Sequence, residues 1–133
     1  MKKIIILGVV LLMVFVFATA ALAKADVQKL VPFPFNDPRV PDASGKAIVN
    51  DSMGDVVLEI TVSVKGLEPD TTYEVKSCAD SSGPWVPLGE FTTNANGNGH
   101  WHMNYRAGDD LPPTAHIYIN LGAGNTLLMD EDY

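Results

Sequence analysis

The chain has 133 residues, with 9 Lys and Arg against 16 Asp and Glu, a formal net charge of −7. Residues 1–23 read as a secretory leader: a basic start (Lys2, Lys3), an apolar run from Ile4 to Ala18, and a small-residue cleavage site at Ala21-Leu22-Ala23. Without the leader's two lysines the balance is seven basic against sixteen acidic side chains, or −9. That charge disfavours a nucleic-acid binder, which needs a basic face to displace counterions, and equally a polybasic membrane-surface protein. No second apolar run approaches the roughly 18 residues that would span a bilayer, so no stable membrane insertion is expected after cleavage.

From Lys24 the sequence divides into an extended, Pro-rich arm over residues 24–43 and a β domain over 44–133. Pro32, Pro34, Pro38 and Pro41 exclude helix from the arm, while Leu30-Val31-Pro32-Phe33-Pro34-Phe35 is too apolar for a plain linker. Val27 to Leu30 is free of proline and suited to strand pairing. The arm is therefore expected to complete a sheet edge, in its own chain or, through residues 24–36, on a neighbour. A short strand follows at Lys46 to Asn50. The clearest element is Asp55 to Lys65, where Val56, Leu58, Ile60, Val62 and Val64 alternate with a mostly polar set. Further strands are expected at Thr71 to Cys78, Trp85 to Thr93, His100 to Arg106, Thr114 to Leu121 and Thr126 to Asp130. Gly89 marks a bulge, because the apolar phase shifts between Leu88 and Phe91. With seven short strands and no helical period, the expected class is all-β, an antiparallel sandwich.

Leu67-Glu68-Pro69-Asp70-Thr71-Thr72-Tyr73-Glu74-Val75 resembles the tyrosine phrase of fibronectin-type-III and other immunoglobulin-like modules. Leu88 to Gly99 is similar to a strand-turn phrase of secreted microbial β-sandwiches. The resemblance implies an immunoglobulin-like fold in which Tyr73 packs at a corner and bonds backbone upstream. Here, however, four strands follow the tyrosine phrase, which departs from fibronectin-type-III order. The resemblance implies no functional residue.

The single cysteine, Cys78, has no partner for a disulfide within the chain, so a hydrophobic core, a metal or association must supply stability. Its strand parity, opposite to Tyr73 and Val75, places the thiol outward. All three histidines lie at His100, His102 and His116. If the strands at 100–106 and 114–121 form a hairpin, His116 sits diagonal to His102, and the three could hold copper or zinc. Secreted copper–zinc superoxide dismutases also carry a His-x-His strand on a β-sandwich, but the rest of their ligand set is missing here. The competing reading is three ordinary surface histidines. Asn94 to Gly99 mimics a calcium loop in spacing, yet lacks the carboxylates and reads as a turn. Calcium shared between the acidic loops (Asp51, Asp55, Asp109, Asp110, Asp130) is a weaker possibility than solvated charge.

No nucleophile elbow or zinc-hydrolase motif is present. The expected function is thus a secreted, periplasmic or cell-surface non-enzymatic β-sandwich with a binding or structural role toward a protein or surface ligand. One alternative is an extracytoplasmic copper- or zinc-binding protein using the histidines, and another a surface protein assembling by N-terminal strand exchange. Export predicts a mature chain that begins at Lys24; N-terminal sequencing of the cell-external protein checks this, and a first residue of Met1 would contradict it.

Overall fold

A computed structural model describes residues 25–33, 40–51, 54–80, 82–122 and 125–132. The expected leader lies outside these residues. Among the described residues eight strands are formed: β1 (Ala25–Pro32), β2 (Ser44–Asp51), β3 (Val56–Lys65), β4 (Thr72–Cys78), β5 (Val86–Thr92), β6 (Gly99–Arg106), β7 (His116–Asn120) and β8 (Thr126–Asp130). Every pairing is antiparallel, in the order β5-β4-β7-β8-β1-β2-β3-β6. The all-β class holds. The architecture is one sheet curled nearly into a barrel, instead of the expected two packed sheets of seven strands.

The eighth strand comes from the segment expected as an arm. β1 pairs along one side with β2, from Ala25↔Asn50 to Leu30↔Gly45, and along the other with β8, from Leu30↔Asp130 to Pro32↔Leu128. It is interior to the sheet, not an addition to its edge. Gln28 and Leu30 point into the barrel and are buried. A buried amide must find partners. Gln28 does so by donating to the carbonyls of Thr114 (2.7 Å) and Ala115 (3.1 Å) and accepting from the Ile117 N–H (2.9 Å).

β3 shows why the sequence alternates. Leu58, Ile60, Val62 and Val64 are buried, while Val57, Glu59, Thr61 and Ser63 stand on the outer side. β7 and β8 differ: Ile117, Tyr118 and Ile119, and Leu127, Leu128 and Met129, are all buried. Their outer side is covered by a second small cluster of Cys78, Tyr118 and Met129, with Phe33 against it. Trp85 adds an edge-on ring contact to Tyr118, 4.1 Å between centroids. The expected outward thiol of Cys78 is corrected here. Its parity is right, but the outer face at that point is covered, and Cys78 has no exposed surface.

The two edge strands, β5 and β6, meet without pairing, and two glycines let side chains close the seam. A Cβ on Gly89 would stand 2.6 Å from Trp101 Nε1, and one on Gly99 would run into the Phe91 ring. Trp101 and Phe91 are thus laid over the opposite strand's backbone and buried. Two residues on, the seam no longer covers Met103, which shares the inward parity of Trp101 yet is 38% exposed. The expected bulge at Gly89 is present: β4 pairs Val75↔Gly89 and then Lys76↔Pro87, leaving Leu88 unpaired. The corner at Tyr73 also forms as the resemblance implies. Tyr73 is fully buried, and its hydroxyl accepts the Glu68 backbone N–H at 3.1 Å.

Truncating the seam residue should be costly. Trp101→Ala is expected to lose about 3–5 kcal/mol, as for large aromatic deletions from cores, and Gly99→Ala to destabilise through the displaced Phe91 ring. Urea denaturation of the two variants checks both.

Candidate binding face

The three histidines are not brought together. β6 pairs with β3, and β7 with β4 and β8, so the expected β6–β7 hairpin does not form. Around the sheet, β4 and β5 intervene between β7 and β6 on one side and four strands on the other. The physical reason is the connection over residues 107–115, which crosses the barrel end instead of turning back. Among the described residues no group of three or more His, Cys, Asp or Glu side chains is placed to hold a metal ion. The Asn94–Asn98 turn is a turn as expected: the Asn94 side-chain oxygen accepts the backbone N–H groups of Asn96 (2.9 Å) and Asn98 (3.0 Å).

His116 stands opposite Cys78 at the start of β7, with Nδ1 3.1 Å from the Asp130 carboxylate. Asp130 is buried, so this contact satisfies a carboxylate that would otherwise be costly to enclose. Nearby, hydrogen bonds from Ser82 hold the Asp80 carboxyl below its usual range.

His100 and His102 have a different setting, the outer side of β1, β2, β3 and β6. The register aligns three rows across these strands: Ala25, Asn50, Glu59, Asn104; then Val27, Ile48, Thr61, His102; then Lys29, Lys46, Ser63, His100. Because side chains alternate across a sheet, the buried residues of the same strands place all three rows outward. The rows are tied together by short polar contacts. Asn50 donates to Glu59 at 3.2 Å, the other Glu59 oxygen meets His102 Nε2 at 2.9 Å, and Ser63 Oγ lies 3.3 Å from His100 Nδ1. Each histidine is therefore anchored through one ring nitrogen.

This face also gathers cations on an acidic protein. Lys29 is paired with Glu131 at 2.9 Å, while Lys46 and Lys65 make no ion pair with any described residue. The two free lysines, with Ser44, Gly45, Ser63 and Val64, line a shallow recess of about 290 Å³. A second recess, of about 430 Å³, opens at the barrel end between Asp26, Val49, Asp51, Thr114 and Ala115. It is acidic, and its wall is occupied by the Gln28 bonds to Thr114 and Ala115.

His100 and His102 are exposed, as the surface-histidine reading has it, but they belong to a face that the expected hairpin does not include. The alternation of β3 was the available signal, since Glu59, Thr61 and Ser63 mark an open outer surface that a neighbouring His-x-His could extend. The chain matches no protein-family model and no curated protein.

The Glu59 contacts give a pH test. Hydrogen bonds from His102 and then Asn50 hold its carboxyl below the ordinary carboxylate value. A depressed carboxylate contributes above its unfolded value, and that contribution fades as pH falls through the folded one. In a carboxyl-resolved NMR titration, Glu59 should titrate below the ordinary glutamate value, and His102→Ala should return it toward that value.

Proposed function

We propose that this chain is an exported, non-enzymatic β domain that serves a binding or structural role, with the outer face of β1, β2, β3 and β6 as its contact surface. The observation that carries this reading is the contrast between the two outer faces. Around Cys78, Tyr118 and Met129 the outside of β4, β7 and β8 is covered and apolar, whereas over β1, β2, β3 and β6 it is open, regular and crossed by aligned hydrogen-bonding side chains. Such a face has its side chains fixed on strands, so little conformational freedom is lost when a partner is engaged. The buried Tyr73 corner, its hydroxyl on the Glu68 N–H, supports a kinship with fibronectin-type-III and immunoglobulin-like modules. The secretory leader supports placement outside the cytoplasm.

A specific observation favours a second reading, assembly by strand exchange. β1 and β2 are antiparallel neighbours, yet eleven residues (33–43) connect them where two suffice for a hairpin. A connection this long can deliver β1 to the slot between β2 and β8 of a second copy, while the mature charge of −9 opposes close approach of copies.

Binding of the purified mature protein to envelope fractions of the producing cell tests the first reading. Lys46→Glu with Lys65→Glu should lower retention at least several-fold, and Glu74→Lys, on the outer side of β4 and away from this face, should leave it unchanged. Equal retention of both variants removes the face from the proposal. Size-exclusion chromatography separates the readings, because strand exchange requires a dimer or larger species that dilution dissociates slowly.

A further inference from the structure

The two histidines of β6 each hold one ring nitrogen against a side chain of β3. They are two residues apart on a strand, which puts both rings on one side with about 7 Å between their backbone positions. Both rings are exposed, and β6 is an edge strand, so no neighbouring strand crowds them from the seam side. Each ring is oriented by a contact at one nitrogen: His102 Nε2 by the Glu59 carboxylate, 2.9 Å away, and His100 Nδ1 by the Ser63 hydroxyl at 3.3 Å. The other nitrogens, Nδ1 of His102 and Nε2 of His100, make no hydrogen bond with any described residue. A histidine whose far nitrogen meets a carboxylate or hydroxyl is the usual outer-sphere arrangement of a metal-bound imidazole, since that contact fixes the tautomer and raises the ring's donor strength.

We propose that His100 and His102 form a two-imidazole chelate for a divalent transition metal, with copper(II) the preferred ion. Two nitrogen donors and open positions for water suit a tetragonal ion, and among divalent first-row metals copper binds such donors most tightly. Glu59 and Ser63 act as positioning residues. His116 takes no part, because it lies across the barrel and its Nδ1 is committed to Asp130. The site differs in this from a three-histidine centre, and it requires no macromolecular partner, so it stands or falls separately from the contact-surface reading.

Copper(II) titration of the full mature chain, followed by calorimetry and electron paramagnetic resonance, provides the test. The expected result is one copper per chain, with hyperfine splitting from two equatorial nitrogens, and weaker zinc binding at the same place. His100→Ala and His102→Ala should each remove the two-nitrogen signature, and Glu59→Gln should weaken copper by roughly tenfold, the lower end of what loss of an outer-sphere partner costs. His116→Ala should leave both signature and affinity intact. All three histidine side chains reach the surface or its margin, and circular dichroism confirms that each variant remains folded. The proposal is overturned if the His100→Ala/His102→Ala double variant binds copper as tightly as the parent chain. It is also overturned if His116→Ala abolishes the signal in a folded protein.

Discussion

The structure depends on one strand. Without β1, the hydrogen-bonded ladders fall into two separate sheets, β5-β4-β7-β8 and β2-β3-β6. β1 pairs with β8 on one side and β2 on the other, and among the described residues no other ladder joins the two sets. Its side chains add a second link. Gln28 reaches the backbone at Thr114, Ala115 and Ile117, so it also fixes the chain as it enters β7. Replacing a buried amide with three partners leaves several backbone groups unsatisfied at once, each worth roughly 1–3 kcal/mol. The N-terminal segment is therefore structural in the strict sense that the remaining strands have no other way to become one sheet.

The opposite side of the barrel solves the same problem differently. β5 and β6 leave the turn at Asn94–Asn98 together but do not pair. Closure there comes from rings laid on glycine backbone, Trp101 over Gly89 and Phe91 against Gly99. Ring-on-glycine packing excludes water from the core without a ladder, though it protects only the part of the seam that the rings cover. Met103, beyond them, is left partly in solvent. Hydrogen bonds close one side and apolar contact the other, which is why the barrel is nearly closed and still has two strand edges.

Much of this was legible in the sequence where local rules act alone. The alternation of β3, the bulge at Gly89 and the Asn-Gly turn follow from period and turn chemistry, and the buried Tyr73 corner from the resemblance its phrase carries. What could not be read was which strands pair. A nine-residue connection such as 107–115 fits either a wide hairpin or a crossing, and no residue in it distinguishes them, so the His100–His102–His116 cluster followed from a pairing that does not occur. The burial of Cys78 and Tyr118 was hidden for a related reason. Parity assigns a side chain to a face but does not say whether that face is covered. The signal for covering was present in the unbroken apolar runs Ile117-Tyr118-Ile119 and Leu127-Leu128-Met129, the mark of strands buried on both sides.

The same covering explains where the protein can act. Phe33 continues from β1 onto the outer side of β8, donating its N–H to Leu127 at 2.8 Å, and packs against the Tyr118–Met129–Cys78 cluster. The chain leaving β1 thus consumes one outer face as it begins its path to β2. The other outer face is left to β2, β3 and β6, whose outward positions are Thr, Ser, Asn, Glu, Lys and His with few large apolar groups. An acidic domain gains solubility from such a surface whatever else it does. The further point is order: Asn50, Glu59 and His102 are joined across three strands, and Ser63 and His100 across two, so the polar groups are held in place instead of being merely solvated. Fixed donors and acceptors on a rigid sheet discriminate between partners, because a ligand that fails to match them leaves them without the contacts that water had supplied.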